Sequence, residues 1–305
     1  MFRRLNFKKN KILMVEPGGG LCNRLICLNN AVHILREIDG LELRVVWWKE
    51  PECGCRFEDI LKPIPGISVI NYARPMEARG ELLRTGRFGE ILIATIQNLF
   101  WRYYYRQFNA NRIAGYGSGI SEDEVLSAIR AFSEGSVIYY RMGVTYRKAC
   151  ILSEEAFSEA VIDKTSSVKG IFGNRGYVGL HIRRTDHKLS IQASPLSFFK
   201  EAIEKELCHS KDVLFYLATD DKMVEEELKE CYGKKIVVNN TCSRSRKTVE
   251  SIQDAAVDLI MLANSDKIYG SVGSTFSEMA AEMGRKTLIL SKWKDSHSIM
   301  EKDNV

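Results

Sequence analysis

The chain has 305 residues, of which 45% are hydrophobic and 27% are charged, and its 44 Lys and Arg against 39 Asp and Glu give a formal net charge of +5. This balance is that of a globular protein and excludes an intrinsically disordered chain, and the length favours about two domains. The chain contains no run of roughly 18 apolar residues, which excludes a membrane-spanning helix. The positive excess is mild, and we expect no nucleic-acid partner.

The chain begins with a basic segment. Five positive charges fall within the first eleven residues, namely Arg3, Arg4, Lys8, Lys9 and Lys11. This pattern predicts a solvated terminus, with weak attraction to an acidic membrane surface as the alternative. The apolar stretch 12–15 is far shorter than the core of a signal peptide, so we expect no targeting segment and a cytoplasmic location, with peripheral membrane contact if the alternative holds.

Eight cysteines are scattered along the chain, at positions 22, 27, 53, 55, 150, 208, 231 and 242. Cys53 and Cys55 form a C-x-C pair, but no second pair stands at zinc spacing and no histidine lies nearby. We therefore expect reduced and mostly buried thiols, rather than a metal site or a disulfide framework.

In the first half, strands alternate with a helix. The pattern predicts strands at 11–16, 42–48 and 67–71, with a helix from about 21 to 38 that Gly40 ends. The segment "NLFWRYYYRQFNANR" (98–112) predicts an amphipathic helix that packs its rings into the core. The alternative for this segment is an aromatic platform that faces an acceptor or a membrane.

The second half repeats strand and helix more regularly. The apolar runs "YVGLHI", "VLFYLA", "KIVV", "KIYG" and "TLIL" predict strands, separated by helical patterns and short loops. Such alternation predicts a doubly wound parallel sheet. We therefore predict an α/β protein of two facing Rossmann-like domains with a cleft between them, at residues 1–169 and 170–305.

The glycine loop in "EPGGGLCNRL" (16–25) matches no common nucleotide motif. The dinucleotide fingerprint would require a third glycine where Asn23 stands, and the chain has no Gly-Lys-Ser/Thr for a phosphate loop. A methyltransferase or dehydrogenase is therefore disfavoured. The backbone N–H groups, the amide of Asn23 and the guanidinium of Arg24 could hold an anion or a sugar, with a plain tight turn as the alternative.

Two strands of the second half end in charged residues. Arg183 and Arg184 follow an apolar strand in "HIRRTDH" (181–187), where charges are costly unless they meet anions or acids. "ATDD" (218–221) places Asp220 and Asp221 after the next strand. The alternatives are surface salt bridges for the arginines and a helix N-cap for the acids.

A third polar cluster follows later in the chain. Asp258 lies in a helical segment that is apolar nearly all round, so its carboxylate must be paired or must reach donors of a ligand. Small and hydroxylated residues at 270–277 lead into a helix with Ser274 or Thr275 as N-cap, and Glu278 would complete a capping box with Thr275. The helix start could also bind a diphosphate.

The motifs "HIRRTD", "LATDD" and "VDLIMLANSD" running into "STFSEMA", in this order, resemble the GDP-fucose-dependent fucosyltransferase superfamily, above all its α1,6 and nodulation-factor branch. They cover residues 176–284, and "GGGLCNRL" and "CRFEDIL" add a looser match. The resemblance implies a GT-B-like fold and an inverting, metal-independent transfer of fucose from GDP-fucose to a hydroxyl of a glycan acceptor. It further implies that residues 1–169 serve the acceptor, that residues 170–305 bind the donor, and that no cofactor is needed.

The resemblance also implies roles for individual residues. His181 and Asp258 would contact guanine, Arg183 would stabilise the β-phosphate, and Asn23 would face the cleft from the first domain. The whole expected donor-binding set is Gly19, Gly20, Asn23, His181, Arg183, Arg184, Asp220, Asp258, Ser274, Thr275, Phe276 and Ser277.

The general base is the point at which the chain departs from the family. The α1,6 enzymes carry a glutamate shortly after the R-R-T-D segment, whereas residues 187–195 contain no acid here. We predict Arg183 and Asp186 as catalytic residues, with His187, Glu16 or no base as alternatives to Asp186, and leave the linkage open. Two alternative functions remain: transfer from another nucleotide sugar, and a non-catalytic glycan- or nucleotide-binding protein.

Overall fold

A computed structural model describes residues 10–73, 96, 99, 111–113, 119–144, 146–185, 188–239 and 244–291. The chain divides into two compact units. The first comprises Met1–Ile162 with Ser245–Ala256, and the second comprises Asp163–Arg244 with Val257–Val305. The domain boundary predicted after residue 169 lies within a helix, Glu159–Phe172, and stays a prediction.

The first unit contains a four-stranded parallel sheet of order β3-β2-β1-β4. Its elements in chain order are β1 (Lys11–Pro17), α1 (Leu21–Glu37), β2 (Leu41–Lys49), β3 (Ile67–Ala73), α2 (Glu122–Ala131), β4 (Val137–Met142) and the first turn of α3 (Glu159–Phe172). Because β1 lies between β2 and β4, the glycine loop that follows β1 opens at the point where the strand order reverses.

Apolar side chains build the core of this unit. Leu13 and Val15 of β1 are fully buried, and they belong to a cluster with Ile34 of α1 and Ile129 of α2. The α2 helix begins with a capping box, in which Ser121 and Glu124 bond each other's backbone N–H. The sequence pattern had not predicted α2 or β4.

The second unit contains a five-stranded parallel sheet of order β7-β6-β5-β8-β9. Its elements are β5 (Tyr177–Ile182), α4 (Lys188–Ala193), α5 (Leu196–His209), β6 (Leu214–Thr219), α6 (Lys222–Tyr232), β7 (Ile236–Val237), α7 (Val249–Asn264), β8 (Lys267–Tyr269), α8 (Thr275–Gly284) and β9 (Thr287–Ile289). The first turns of α7 belong to the first unit. Here β5 is the strand at which the order reverses, so its carboxyl end is the expected binding edge.

The predicted alternation of strands and helices is confirmed in both halves. The strand predicted around residue 236 is short, because residues 233–235 form a 3-10 turn before Ile236–Val237. The aromatic segment 98–112 lies outside the described residues except for 99, 111 and 112.

Two further observations on the described residues concern the thiols and the membrane. The seven described cysteines are unlinked, and Cys22, Cys27, Cys53 and Cys55 are buried. Among the described residues, no helix combines the length and the apolar character that crossing a bilayer requires.

Candidate functional site

His181 occupies the carboxyl end of β5 and is only 5% exposed. Its Nδ1 lies 2.6 Å from Ser277 Oγ, and its ring stacks on Phe276 with 4.8 Å between centroids. Burial lowers the pKa of His181 to about 4, with smaller opposing effects of Asp220 and Arg183, so the imidazole is neutral at pH 7. The end of β5 is thereby joined to the first turn of α8.

Asp220 organises the loop that follows His181. Its carboxylate lies 3.2 Å from Arg183 Nε and accepts hydrogen bonds of 2.8 Å from both Arg184 N and Thr185 Oγ1. On the other side of the loop, Arg183 N donates to Ser271 Oγ at 2.9 Å. The Arg183 guanidinium is therefore oriented at its Nε by the Asp220 carboxylate.

Arg184 is held differently from its neighbour. Its guanidinium donates to the carbonyl oxygens of Arg183 at 3.1 Å and Ser194 at 2.9 Å, and it lies 6.0 Å from the centre of the Phe199 ring. Burial lowers the pKa of Arg184 somewhat. Contact between Arg184 and the nucleotide-sugar donor stays a prediction. In the structure, the Arg184 side chain stabilises the loop.

The start of α8 presents backbone donors. Ser274 is the N-cap and is 8% exposed, but its side chain accepts no capping hydrogen bond. The capping box predicted for Thr275 and Glu278 is wrong, because Thr275 is already the first helical residue and Ser277 stands at the third position. Within the described part of the chain, the backbone N–H groups of residues 275–277 have no hydrogen-bond acceptor. Such a helix start is suited to an anion.

Asp258, on α7, is paired as its apolar surroundings require. Tyr216 OH donates to Asp258 Oδ1 at 2.5 Å. Side chains alternate along β5 and β6, and His181 is in register with Ala218, two residues beyond Tyr216. His181 and Tyr216 therefore lie on the same face of the sheet, and Asp258 lies over that face.

The glycine loop of the first unit has a close internal contact. Gly19 has φ +82°, and a Cβ there would lie 2.9 Å from Asn23 Nδ2. Asn23 Oδ1 is buried and has no hydrogen-bond partner among the described residues. Gly20 is the N-cap of α1. The loop thus places its backbone close to the side-chain amide of Asn23. Contact of these groups with the nucleotide-sugar donor stays a prediction.

Arg24 does not serve the binding role considered for it. Its guanidinium is fully buried and donates to Gly19 O at 2.8 Å, to Trp48 O at 2.6 Å and to Glu50 Oε2 at 3.1 Å. It also lies 4.8 Å from the centre of the Trp47 ring. The hypothesis that this guanidinium holds an anion is therefore wrong, and Arg24 fixes the loop to the end of β2.

Glu16, one alternative for the base, is engaged at the end of β1. Tyr139 OH donates to Glu16 Oε2, and Arg141 Nε lies 3.3 Å from Glu16 Oε1. Asp186 and His187, the other candidates, lie outside the described residues.

Sequence reasoning missed Tyr216 and Ser271. Ser271 Oγ donates to His181 O at 3.1 Å and accepts from Arg183 N, so it joins the β8 loop to the β5 loop. A tyrosine within an apolar strand and a serine in a hydroxylated run were the available signals. Among the described residues, no group of three or more His, Cys, Asp or Glu side chains is placed to hold a metal ion.

The chain matches no protein-family model and no curated protein. It does match solved structures. The α1,6-fucosyltransferase NodZ soaked with GDP-fucose aligns with a TM-score of 0.58 at 16% identity, over 90% of this chain and 93% of that chain. Fucosyltransferase NodZ from Bradyrhizobium gives the same values. POFUT1 in complex with GDP-fucose aligns with a TM-score of 0.50 at 11% identity, over 96% of this chain and 100% of that chain.

These matches concern the fold. The chain has the α/β, GT-B-like fold of these fucosyltransferases over most of its length, which confirms the resemblance that the motifs predicted.

Proposed function

We propose that the protein is a fucosyltransferase that transfers fucose from GDP-fucose to a hydroxyl of a glycan. The observation that carries this proposal is the arrangement at the carboxyl edge of the second sheet. The oriented Arg183 guanidinium and the uncapped start of α8 follow the adjacent strands β5 and β8, and Ser271 joins their loops. Solved structures with this fold contain GDP or GDP-fucose, which supports a nucleotide donor.

The diphosphate is the part of the donor that this arrangement suits best. The backbone N–H groups at the start of α8 attract negative charge, and Arg183 supplies charge-assisted hydrogen bonds. We assign the β-phosphate to Arg183 and the diphosphate also to Ser274, Thr275 and Ser277. In this proposal Gly19, Gly20 and Asn23 serve the same donor from the first unit.

Guanine would lie over the face of the sheet that carries His181 and Tyr216. The carboxylate of Asp258 accepts from the N1–H and the 2-amino group of guanine. Neutral His181, held by Ser277 and stacked on Phe276, contributes to the same base pocket.

The proposed reaction inverts the anomeric carbon and needs no metal. The acceptor oxygen forms a bond to the anomeric carbon as the bond from that carbon to the β-phosphate oxygen breaks, and GDP leaves with the electron pair. Arg183 stabilises the charge that develops on the diphosphate, a contribution of roughly 3 kcal/mol for one oriented donor. Asp186 takes the proton of the acceptor hydroxyl.

The acceptor and the cellular location belong to the same proposal. Residues 1–169 would serve a glycan acceptor and residues 170–305 the donor. The enzyme would be cytoplasmic, with its basic start in contact with an acidic membrane surface when the acceptor is held there.

The proposal is tested with GDP-fucose and a panel of glycan acceptors. We expect a fucosylated product together with released GDP, with the linkage read by NMR. We further expect GDP to raise the melting temperature more than UDP, dTDP or CMP at equal concentration, because only a nucleotide that binds the folded state stabilises it. Preference for another nucleotide would favour the alternative donor. GDP binding without product or hydrolysis would favour the non-catalytic alternative.

Arg183→Ala provides the residue-level test. We expect turnover to fall by roughly 10²-fold or more, because an oriented charge on the leaving group is lost. Arg175→Ala, at an exposed arginine of the same unit, is the matched control and should leave turnover unchanged. Near-normal transfer by Arg183→Ala would contradict the assignment.

A further inference from the structure

The hydrogen bond between Tyr216 and Asp258 joins a buried strand to the carboxylate that is proposed to bind guanine. Tyr216 is fully buried on β6, and its hydroxyl lies 2.5 Å from Asp258 Oδ1. Its ring lies 6.4 Å from the rings of both Phe172 and Tyr177. A phenylalanine would fill the same aromatic cluster, so packing alone does not require the hydroxyl.

A second tyrosine holds the same face of α7. Tyr177 OH donates to Met261 O at 2.7 Å, and residues 258 and 261 are three apart and so lie on one side of the helix. The two tyrosines stand on adjacent strands. Tyr177 holds the helix backbone, whereas Tyr216 holds a side chain. The bond from Tyr216 therefore acts on the orientation of a carboxylate rather than only on the position of the helix.

Orientation matters for this carboxylate because its terminal torsion is soft. The χ2 rotation of an aspartate has broad minima, so a carboxylate without an anchored oxygen samples many planes. A carboxylate has about four lone-pair positions, and the bond from Tyr216 occupies one of them. The carboxylate can accept hydrogen bonds from two adjacent N–H donors of a ligand at once only when its plane is held towards both.

We propose that Tyr216 is a positioning residue that fixes the carboxylate of Asp258 and thereby sets selectivity for guanine, an inference that rests on the function proposed above. Guanine presents two adjacent donors on one edge, N1–H and the 2-amino group. Hypoxanthine keeps N1–H but lacks the amino group, and adenine, uracil and cytosine do not present this pair. The held carboxylate therefore distinguishes GDP even from inosine diphosphate.

The test compares Tyr216→Phe with Tyr177→Phe. Each variant removes one buried hydroxyl from the same aromatic cluster and the same face of α7, but the hydroxyl of Tyr177 donates to the Met261 carbonyl whereas that of Tyr216 donates to the Asp258 carboxylate. Dissociation constants for GDP and for inosine diphosphate are measured by calorimetry on the full chain. The ratio of the two dissociation constants is the decisive quantity. Partial unfolding weakens the binding of both nucleotides equally and therefore leaves this ratio unchanged.

We expect Tyr216→Phe to weaken GDP binding about tenfold and inosine diphosphate binding about threefold, so that the preference for GDP narrows about threefold. Tyr177→Phe should keep the preference of the unaltered protein. An unchanged preference in Tyr216→Phe, with normal GDP binding by the unaltered protein, would overturn this inference alone. Absence of GDP binding by the unaltered protein would overturn the proposed function and this inference with it.

A double variant separates an effect through Asp258 from an independent one. Adding Tyr216→Phe to Asp258→Asn should weaken GDP binding by less than about twofold, because the carboxylate through which the hydroxyl acts is already gone. If the second substitution adds the full loss seen in the single variant, Tyr216 acts without Asp258 and the inference is overturned.

Discussion

The Asp220 carboxylate lies 3.2 Å from Arg183 Nε and at the same time accepts a 2.8 Å hydrogen bond from Arg184 N. One acid after β6 therefore orients a guanidinium and holds the backbone of the loop after β5. Both groups are about one-fifth exposed, at 22% for the Arg183 side chain and 17% for that of Asp220. The pair is thus partly shielded from water, and its geometry rests on more than an exposed salt bridge.

Asp220→Asn is expected to lower turnover at least about tenfold, because the amide loses the charge that orients Arg183, and a hydrogen bond to a charged group is worth roughly 1.5–3 kcal/mol. The fall should appear mainly in kcat, since Arg183 acts on charge that develops during the reaction. Steady-state kinetics of transfer from GDP-fucose measures kcat and KM.

Asp221→Asn is the matched control for this prediction. Asp221 caps α6 by accepting from Met223 N at 2.8 Å. Because asparagine caps a helix about as well as aspartate, Asp221→Asn should leave both the free energy of unfolding and turnover nearly unchanged. Equal kcat values for the two variants would contradict the role given to Asp220.

The two acids of "ATDD" also illustrate how far the sequence could lead. A helix cap and a partner for the arginines were competing interpretations of one motif, and the structure assigns the cap to Asp221 and the arginine to Asp220. The sequence identified the strand ends that meet, because parallel strands bring their carboxyl ends to one edge. It could not reveal the bond between His181 and Ser277, since 96 residues separate them and the pairing depends on the packing of α8.

Arg24→Met should destabilise the first unit strongly. Glu50 would keep a carboxylate whose side chain is 9% exposed and would lose its cationic partner, and breaking such a buried pair costs roughly 3–5 kcal/mol. Unfolding in urea measures the change. Adding Glu50→Gln should recover part of the loss, because the buried charge that lost Arg24 is then removed.

Arg44→Met is the control for the buried pair. Arg44 and Glu42 form an ion pair with side chains 38% and 39% exposed, and such a surface pair contributes at most about 1 kcal/mol. A loss in Arg24→Met no larger than that in Arg44→Met would show that Arg24 is not the anchor of the glycine loop.

Gly19→Ala tests the close contact in the glycine loop. Its φ of +82° is costly for alanine, and the new Cβ would press on Asn23 Nδ2 at 2.9 Å. Gly173→Ala is matched for the backbone, because Gly173 has φ +60° and no atom of the described residues would lie within 4 Å of its new Cβ. We expect Gly19→Ala to lower the free energy of unfolding by at least about 1 kcal/mol more than Gly173→Ala does.

The same substitution also has a functional readout. If Asn23 contacts the donor, Gly19→Ala should raise the KM for GDP-fucose, whereas Gly173→Ala should not. Equal unfolding free energies and equal KM values in the two variants would show that the space around Asn23 is not restrictive.

The role of Arg24 could not be predicted from the glycine loop itself. An arginine beside three glycines at a helix start is compatible with anion binding, and its partners Trp48 and Glu50 lie 24 and 26 residues further along the chain. Whether Arg24 binds an anion or anchors the loop depends on how β2 pairs with β1, because that pairing brings the end of β2 to the loop. The tertiary contact, rather than the motif, determines the role of this guanidinium.

The buried histidine predicts a loss of stability in mild acid. The pKa of His181 is about 4 in the folded protein, below its ordinary value of 6.5, because burial disfavours the charged ring. Between these two values the unfolded chain binds a proton that the folded protein does not. The free energy of unfolding should therefore fall as the pH is lowered from about 6.5 to about 4, by roughly 3 kcal/mol in all from this residue.

His181→Gln removes the titrating group and should flatten the dependence of the unfolding free energy on pH within that window. His209→Gln, at an exposed histidine near the end of α5, should keep the steeper dependence of the unaltered protein. Urea unfolding at several pH values between 4 and 7 measures both slopes. Other groups whose pKa is lowered by folding, such as Glu206, are present in both His181→Gln and the unaltered protein, so their contribution cancels between these two proteins. Indistinguishable slopes for His181→Gln and the unaltered protein would mean that His181 is not held neutral by burial.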